Sequence, residues 1–309
     1  ILPSLSYSNM IQDIIIDDAE SDEWLDSIDS IILGDIRELI KIYGIRVHNC
    51  LLNWQNRDKK LYSFVPINEM FSDVKILTPN IIDIDRYKHS ISPKVPLVSS
   101  LLNLKPVIGV FGTSKKQGKF TLQMRMKKYF ELHGIKAGVF STEHQGLLLN
   151  AGGAFPYGAK NCSMIELPLE EFYITYDYLL FLMSISNYEL IITGLQSGTT
   201  TELYQFRKNG IHNLCLASVM TPEVSLVVIN MFDSLKTIEK TISLVKAFTR
   251  KEIACVVISN FDFAEDSEEY LKLAADVCER FGLPCVHIND IEDISNVIVT
   301  VLTKKRTEY

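Results

Sequence analysis

Nowhere in these 309 residues does an apolar run approach the ~20 needed to cross a bilayer, so no membrane span is expected. Positive charge is also short. Thirty-one Lys and Arg stand against 38 Asp and Glu, a formal net charge of −7. That balance excludes the broad basic surface on which general nucleic-acid binding depends. It leaves room for a local basic pocket that takes a phosphate ligand. Cysteine is sparse and dispersed: Cys50, Cys162, Cys215, Cys255, Cys278 and Cys285 form no C-x-x-C pair, and no histidine cluster accompanies them. No metal site is expected from such spacing. Cys215, Cys255 and Cys285 lie in apolar runs that read as strands, where thiols act as small buried hydrophobes. Cysteine used in this way suits a reducing cytoplasm. There is no internal repeat and no low-complexity tract, and no signal peptide is expected. The sequence starts at Ile1 without methionine, so the native N-terminus is expected to be missing.

What is present is an ordinary globular composition, 47% hydrophobic and 22% charged. The length suggests two domains, or one large domain with an appendage, and is enough to bury a core without disulfides or metals. We divide the chain into a small α/β domain over 1–100 and a larger one over 101–309. In the first, Asp13–Asp17, Ser30–Ile36 and Val74–Thr78 read as strands. The acidic run "DDAESDEWLD" follows the first of them as a solvated loop or helix start. "RELIKIYGIRVHNCLLNW" has apolar residues at mostly helical spacing, with Gly44 as an expected interruption. Residues 89–106, rich in proline and serine, read as the connection between domains.

From Val107 onward strands and helices alternate regularly. Strands are expected at 107–111, 136–141, 189–193, 213–218, 254–259 and 284–288. Helices are expected at 121–133, 170–186, 201–209, 234–248 and 266–281, with a last one closing the chain. Gly134, Gly210 and Gly282 stand where helices should stop. Thr221 and Pro222 read as the start of a helix. Short aliphatic strands between amphipathic helices predict a mostly parallel sheet held between two helical layers. Ligands of such sheets bind beyond the carboxyl ends of the strands.

The segment after the first of these strands is the most informative. "VIGVFGTSKKQGKFT" passes from strand through a basic glycine loop into a helix. Its pattern is Gly112-Thr113-Ser114-Lys115-Lys116-Gln117-Gly118-Lys119-Phe120-Thr121. Glycines let backbone amides approach phosphate oxygens, the helix start adds free N–H groups, and Lys119 can place an ammonium between phosphates. The position after Lys119, where a magnesium-binding hydroxyl commonly stands, is Phe120, and the hydroxyl follows at Thr121. One residue is about 100° of helix rotation. A phosphate ligand is therefore expected on residues 112–121, with Mg²⁺ binding in doubt.

Other strand ends add candidates. After the second strand come Glu143, His144 and Gln145, where Glu143 or His144 would serve as acid or base. After the third, Thr193 and Gly194 replace the acidic residue that P-loop enzymes usually place there. Gln196, Ser197 and Thr199 follow, either to hold a carboxylate or phosphate of a second ligand or simply as a helix cap in a Thr-rich turn. Asn260, after the fifth strand, is a candidate contact to a nucleobase.

The loop "GTSKKQGKFT" resembles the G-T-x-x-x-x-G-K pattern of dethiobiotin synthetase and its P-loop relatives. It is more similar still to a P-loop family that contains D-glutamate N-acetyltransferases. That family reads G-T-D-x-x-x-G-K-x-T-T, then Q-T-G, then E-G-Q-G-S, behind a small Rossmann-like N-terminal domain. Gly112, Thr113, Gly118, Lys119 and Thr121 fit its first motif, Gln145-Gly146 the second, and Gly194, Gln196 and Ser197 the third. Ser114, Leu122 and Thr193 depart from it, each removing a group expected near metal or substrate. The layout is also similar to that of clostridial peptide maturation system proteins.

These resemblances imply a three-layer α/β/α, P-loop NTPase-like domain with a mostly parallel sheet, preceded by a smaller Rossmann-like α/β domain. They imply ATP or another nucleotide as ligand, with acetyl-CoA as an alternative, and Glu143, Gln145, Gln196, Ser197 and Thr199 near a second substrate. A precursor peptide or a peptide-modifying enzyme as partner, and a homo-oligomeric state, are implied in the same way. Three readings stay open: a nucleotide-dependent or acyl-transfer enzyme, a binding or scaffold subunit without catalysis of its own, and a purely structural α/β protein.

Overall fold

The computed structural model describes residues 25–26, 28–33, 36–63, 67, 70–77, 105–143, 146, 149–157, 167–199, 208–259 and 267–307. Several expectations lie outside them: the Asp13–Asp17 strand, nearly all of the acidic run, most of the 89–106 connection, most of the 201–209 helix, His144, Gln145 and Asn260. The chain divides into two compact units, Ile1–Asp83 with Ala159–Ser163, and Ile84–Gly158 with Met164–Tyr309.

In the first unit β1 (Ser30–Leu33), β2 (Lys60–Ser63) and β3 (Ile76–Leu77) form a parallel sheet in that order. Helix α1 (Arg37–Asn56) lies between β1 and β2 in sequence. It buries Val47, Leu51 and Trp54, spaced as one helical face, in a core with Leu33, Leu61, Phe71 and Ile76. Tyr43 leaves helical geometry at φ −120°, beside Gly44 where the sequence pattern weakens. β2 is a strand that the sequence reading does not contain.

The second unit is built on a parallel sheet in the order β10-β9-β8-β4-β7-β5-β6. The strands are β4 (Val107–Gly112), β5 (Ala137–Ser141), β6 (Gly153–Ala154), β7 (Leu190–Gly194), β8 (Val224–Asn230), β9 (Ile253–Ser259) and β10 (Cys285–His287). Helices α2 (Lys119–Leu132), α3 (Leu169–Ser184), α4 (Lys208–Met220), α5 (Leu235–Thr249), α6 (Glu268–Phe281) and α7 (Ile291–Thr307) complete it. Every residue of β4, β5 and β7 is buried, which is why these strands are largely apolar rather than alternating, with Ser141 and Thr193 as the polar exceptions. One sheet face packs Ile108, Val110, Val139, Leu226 and Val257 against Leu122, Met126 and Phe130 of α2 and Ile294 and Ile298 of α7. On the other face the ring of Phe140 lies 4.9 Å from that of Tyr176 in α3. This is the expected α/β/α layering.

The element at 213–218 is a correction. That run is helix, not strand, and Gly210 lies inside α4 instead of ending a helix. The inward residues His212, Asn213, Leu216, Ala217 and Met220 recur at helical spacing. The true strand is β8, a β-branched run that begins just after Thr221 and Pro222, so those two residues form the turn into a strand and start no helix. The shift matters because it moves a different loop to the sheet's carboxyl edge. Winding reverses at β4, whose neighbours are β7 and β8. Such reversal points are where α/β sheets open a crevice.

Candidate functional site

Four connections meet at the carboxyl edge around β4. The first is the loop 113–118. Lys116 and Gly118 adopt left-handed backbone conformations, φ 59° and 75°, and glycine is needed at the second to turn the chain into α2. Alternation of this kind makes an anion-binding nest of successive amides. Among the described residues, the four amides of Lys115, Lys116, Gln117 and Gly118 donate to no protein acceptor. The first helical bond of α2 is Leu122 N to Gly118 O. Lys115 and Lys116 are exposed, whereas Lys119 is only 4% exposed and donates from Nζ to Ser114 O at 2.5 Å. Burial pushes the Lys119 ammonium down to about 8, and the carboxylates of Glu143 and Asp233 oppose that fall.

The second connection, β8 to α5, supplies Asp233. Its Oδ2 accepts hydrogen bonds from Thr113 Oγ1, from Gln117 Nε2 at 3.0 Å and from Asn230 N at 2.7 Å. Gln117 Nε2 also donates to Thr113 Oγ1 at 2.6 Å, and its Oε1 accepts from Ser114 N at 2.9 Å. Thr113, Gln117 and Asp233 thus clasp the loop from below, and the Gln117 side chain turns inward.

The third connection follows β7. Thr199 N donates to Gly112 O at 2.9 Å. Gly198 lies so close to the 113–118 loop that a Cβ would fall 2.3 Å from Thr113 O. A buried network holds this segment from behind. Tyr157 Oη donates to Asn213 Oδ1 at 2.6 Å and accepts from Gln196 N at 2.9 Å. Asn213 Nδ2 donates to Ser197 Oγ at 2.6 Å and to Gly198 O at 3.1 Å. Tyr157 in turn packs edge-on against Phe172 of α3, with ring centres 5.7 Å apart.

The fourth connection follows β5. Glu143 N donates to Ser141 Oγ at 2.9 Å, and Glu143 Oε2 accepts from Gln196 Nε2 at 3.1 Å. Burial raises the Glu143 carboxyl to about 7, against the pull of Lys119 and of the Gln196 bond.

The expected residues Gly112–Thr121 therefore share one loop and helix start, and Glu143, Gln196, Ser197 and Thr199 converge beside it. Phe120 and Thr121 are half-buried in the first turn of α2. Thr193 does not stand in for the absent acid. Its hydroxyl donates to Phe140 O at 3.0 Å and shares a 2.8 Å bond with Tyr176. Sequence reading missed Asp233, Tyr157 and Asn213. The strand-like run 224–230 ending in Asn-x-x-Asp was the available signal for Asp233. Nothing local marks the other two, which act across 56 residues.

Sheet order and the glycine loop between β4 and α2 define a three-layer α/β/α, P-loop NTPase-like fold. Among solved structures the chain is similar to a duf1611 family protein from Anabaena variabilis, at 12% identity and TM-score 0.58, covering 90% of this chain and 80% of that one. That likeness is one of fold. It is also similar to HypB from Helicobacter pylori in complex with nickel, at 14% identity and TM-score 0.43, covering 73% and 96%. A third is cobyrinic acid a,c-diamide synthase from Mycobacterium smegmatis with bound ADP and magnesium, at 12% identity and TM-score 0.41, covering 58% and 84%. No protein-family model and no curated sequence matches the chain.

Proposed function

We propose that this protein binds the polyphosphate of a nucleotide on the loop between β4 and α2. The observation that carries the reading is the run of four loop amides without protein acceptors, closed by a buried lysine at a helix N-terminus. An anion there gains several N–H donors, the positive end of α2 and one ammonium. Lys119 Nζ donates to Ser114 O, and a bound phosphate oxygen would take that acceptor's place. Asp233 holds the loop's shape, since its Oδ2 already accepts from Thr113, Gln117 and Asn230. Among the described residues no group of three His, Cys, Asp or Glu is placed to hold a metal. A divalent ion would therefore arrive on the phosphates and keep much of its water shell.

The test is thermal stabilisation by ATP, ADP, GTP, inorganic tripolyphosphate and acetyl-CoA, each with and without Mg²⁺. A ligand at about 100 times its Kd adds ~2.7 kcal/mol. Tripolyphosphate and at least one nucleotide are expected to stabilise the wild type and to leave Lys119→Met unmoved. Stabilisation by acetyl-CoA alone would assign the loop to a CoA pyrophosphate. Unchanged melting with every compound would overturn the reading.

A further inference from the structure

We propose that Glu143 is a catalytic base, receiving the proton of an O–H nucleophile that attacks the terminal phosphoryl group of the nucleotide on this loop. The inference rests on the nucleotide-binding reading and adds an activity to it. Its first support is position. Glu143 stands at the end of β5, near enough to Lys119 for the two charges to act on each other. The strand between β5 and β4 is β7, and the loop that follows it joins the two sites physically. Gln196 reaches Glu143, and two and three residues later Gly198 and Thr199 touch the phosphate loop. The second support is orientation. A base needs a third group that fixes it. Gln196 Nε2 does this for Glu143, and the backbone of Gln196 is itself held by the Tyr157 hydroxyl.

The third support is a set of buried polar atoms that the fold leaves unused. Among the described residues, Gln196 Oε1 and Thr199 Oγ1 have no hydrogen-bond partner, and Thr199 is fully buried. Such atoms are costly unless something else satisfies them. Gln196 spends its amide N–H on the Glu143 carboxylate and leaves its oxygen as an acceptor. This segment thus offers the acceptor oxygen of Gln196 and a threonine hydroxyl that can donate or accept. Both atoms can hold a hydroxyl or water, the class of nucleophile the step needs.

The chemistry balances without a further reagent. The nucleophile's oxygen forms a bond to the terminal phosphorus as the bond from phosphorus to the bridging oxygen breaks. The bridging oxygen leaves with the electron pair as nucleoside diphosphate, and the nucleophile's proton passes to Glu143. Water as nucleophile gives orthophosphate. Burial brings Glu143 near neutrality, where a base combines an ionised fraction with useful proton affinity. Among the described residues, the charged and titratable groups facing Glu143 are Lys119 from α2 and Tyr157.

The experiment measures ADP formation from ATP with Mg²⁺ across about pH 6 to 9, beside ADP affinity by calorimetry. The side-chain carboxyl of Glu143 is titrated in parallel by carbon NMR of glutamate-labelled protein, with Glu143→Gln as the assignment control. Glu143→Gln is expected to keep ADP affinity within about threefold and to lose ADP formation by ~10²–10⁴-fold. Wild-type activity should rise with the same midpoint as the carboxyl titration. Gln196→Ala, which removes the positioning amide, should move both midpoints upward together. Unchanged turnover in Glu143→Gln overturns the proposal. So does a wild type that binds ATP and forms no ADP at any of these pH values. Failure of ATP and tripolyphosphate to bind at all would instead remove the nucleotide reading beneath it.

Discussion

Gly198→Ala tests how tightly the β7 loop is pressed on the phosphate loop. The added methyl would lie 2.3 Å from Thr113 O, 2.6 Å from Ser114 Cα and 2.8 Å from Thr113 C. All three are backbone atoms, so no side-chain rotation relieves the clash. Either the phosphate loop or the Gln196–Thr199 segment must move, and the bond from Thr199 N to Gly112 O goes with it. Overpacking of this kind costs about 1–3 kcal/mol. At ~2–4 °C per kcal/mol for a domain of this size, Tm should fall by about 2–12 °C. The displaced loop should also bind tripolyphosphate at least tenfold more weakly. Gly44→Ala is the control, because nothing lies within 4 Å of its added methyl and it sits in α1. It should be neutral or stabilise by about 0.4–1 kcal/mol. Calorimetry gives Tm, and titration gives Kd. A Gly198→Ala protein within about 0.5 kcal/mol of wild type, with unchanged tripolyphosphate affinity, would refute the coupling of these loops.

Asp233→Ala leaves Thr113 Oγ1, Gln117 Nε2 and Asn230 N without their common acceptor, and urea denaturation should show a loss of about 2–4 kcal/mol. Asp233→Asn, which keeps one acceptor oxygen, should lose less than half of that. Stability should also pass through a trough in pH. Glu143 titrates at about 7 in the folded chain against an ordinary 4.5, so the folded state holds an extra proton in that window and its contribution is lost as pH rises through it. Lys119 titrates at about 8 against an ordinary 10.5, so its contribution returns only as pH climbs from 8 toward 10.5. The minimum should fall between about 7 and 8, and Glu143→Gln should flatten the acid side alone, as read by denaturant midpoints against pH.

The parts of the fold that were legible in the sequence are those where local pattern and tertiary role agree. β4, the glycine loop and α2 follow one another with a strand run, left-handed turn residues and a lysine at the helix start. α5, β9, α6 and β10 fall within one or two residues of their expected bounds. The failure at 213–218 has a physical cause. "NLCLAS" is apolar enough for a buried strand, and the helical spacing of its inward residues shows only over the longer window to Met220. Pro222, read as a helix opener, sits at the entrance to β8. Misplacing that strand hid Asp233, whose role depends on following β8 and not on any feature of its own neighbourhood. Tyr157 and Asn213 were illegible for a different reason. Their bond joins segments far apart in sequence, and only the packed sheet brings them together.

The short bond from Lys119 Nζ to Ser114 O bears on which solutes can compete for the loop. The ammonium already leans on a peptide oxygen and has two carboxylates in its neighbourhood, so it is compensated before any guest arrives. Chloride or a monoanionic buffer species gains little by displacing that oxygen. A chain of linked phosphates repays the exchange several times over, because its remaining oxygens reach the adjacent N–H groups together. If the loop takes a polyphosphate as proposed, this tether would screen solutes by how many negative charges they carry in series, ahead of any discrimination by base or sugar.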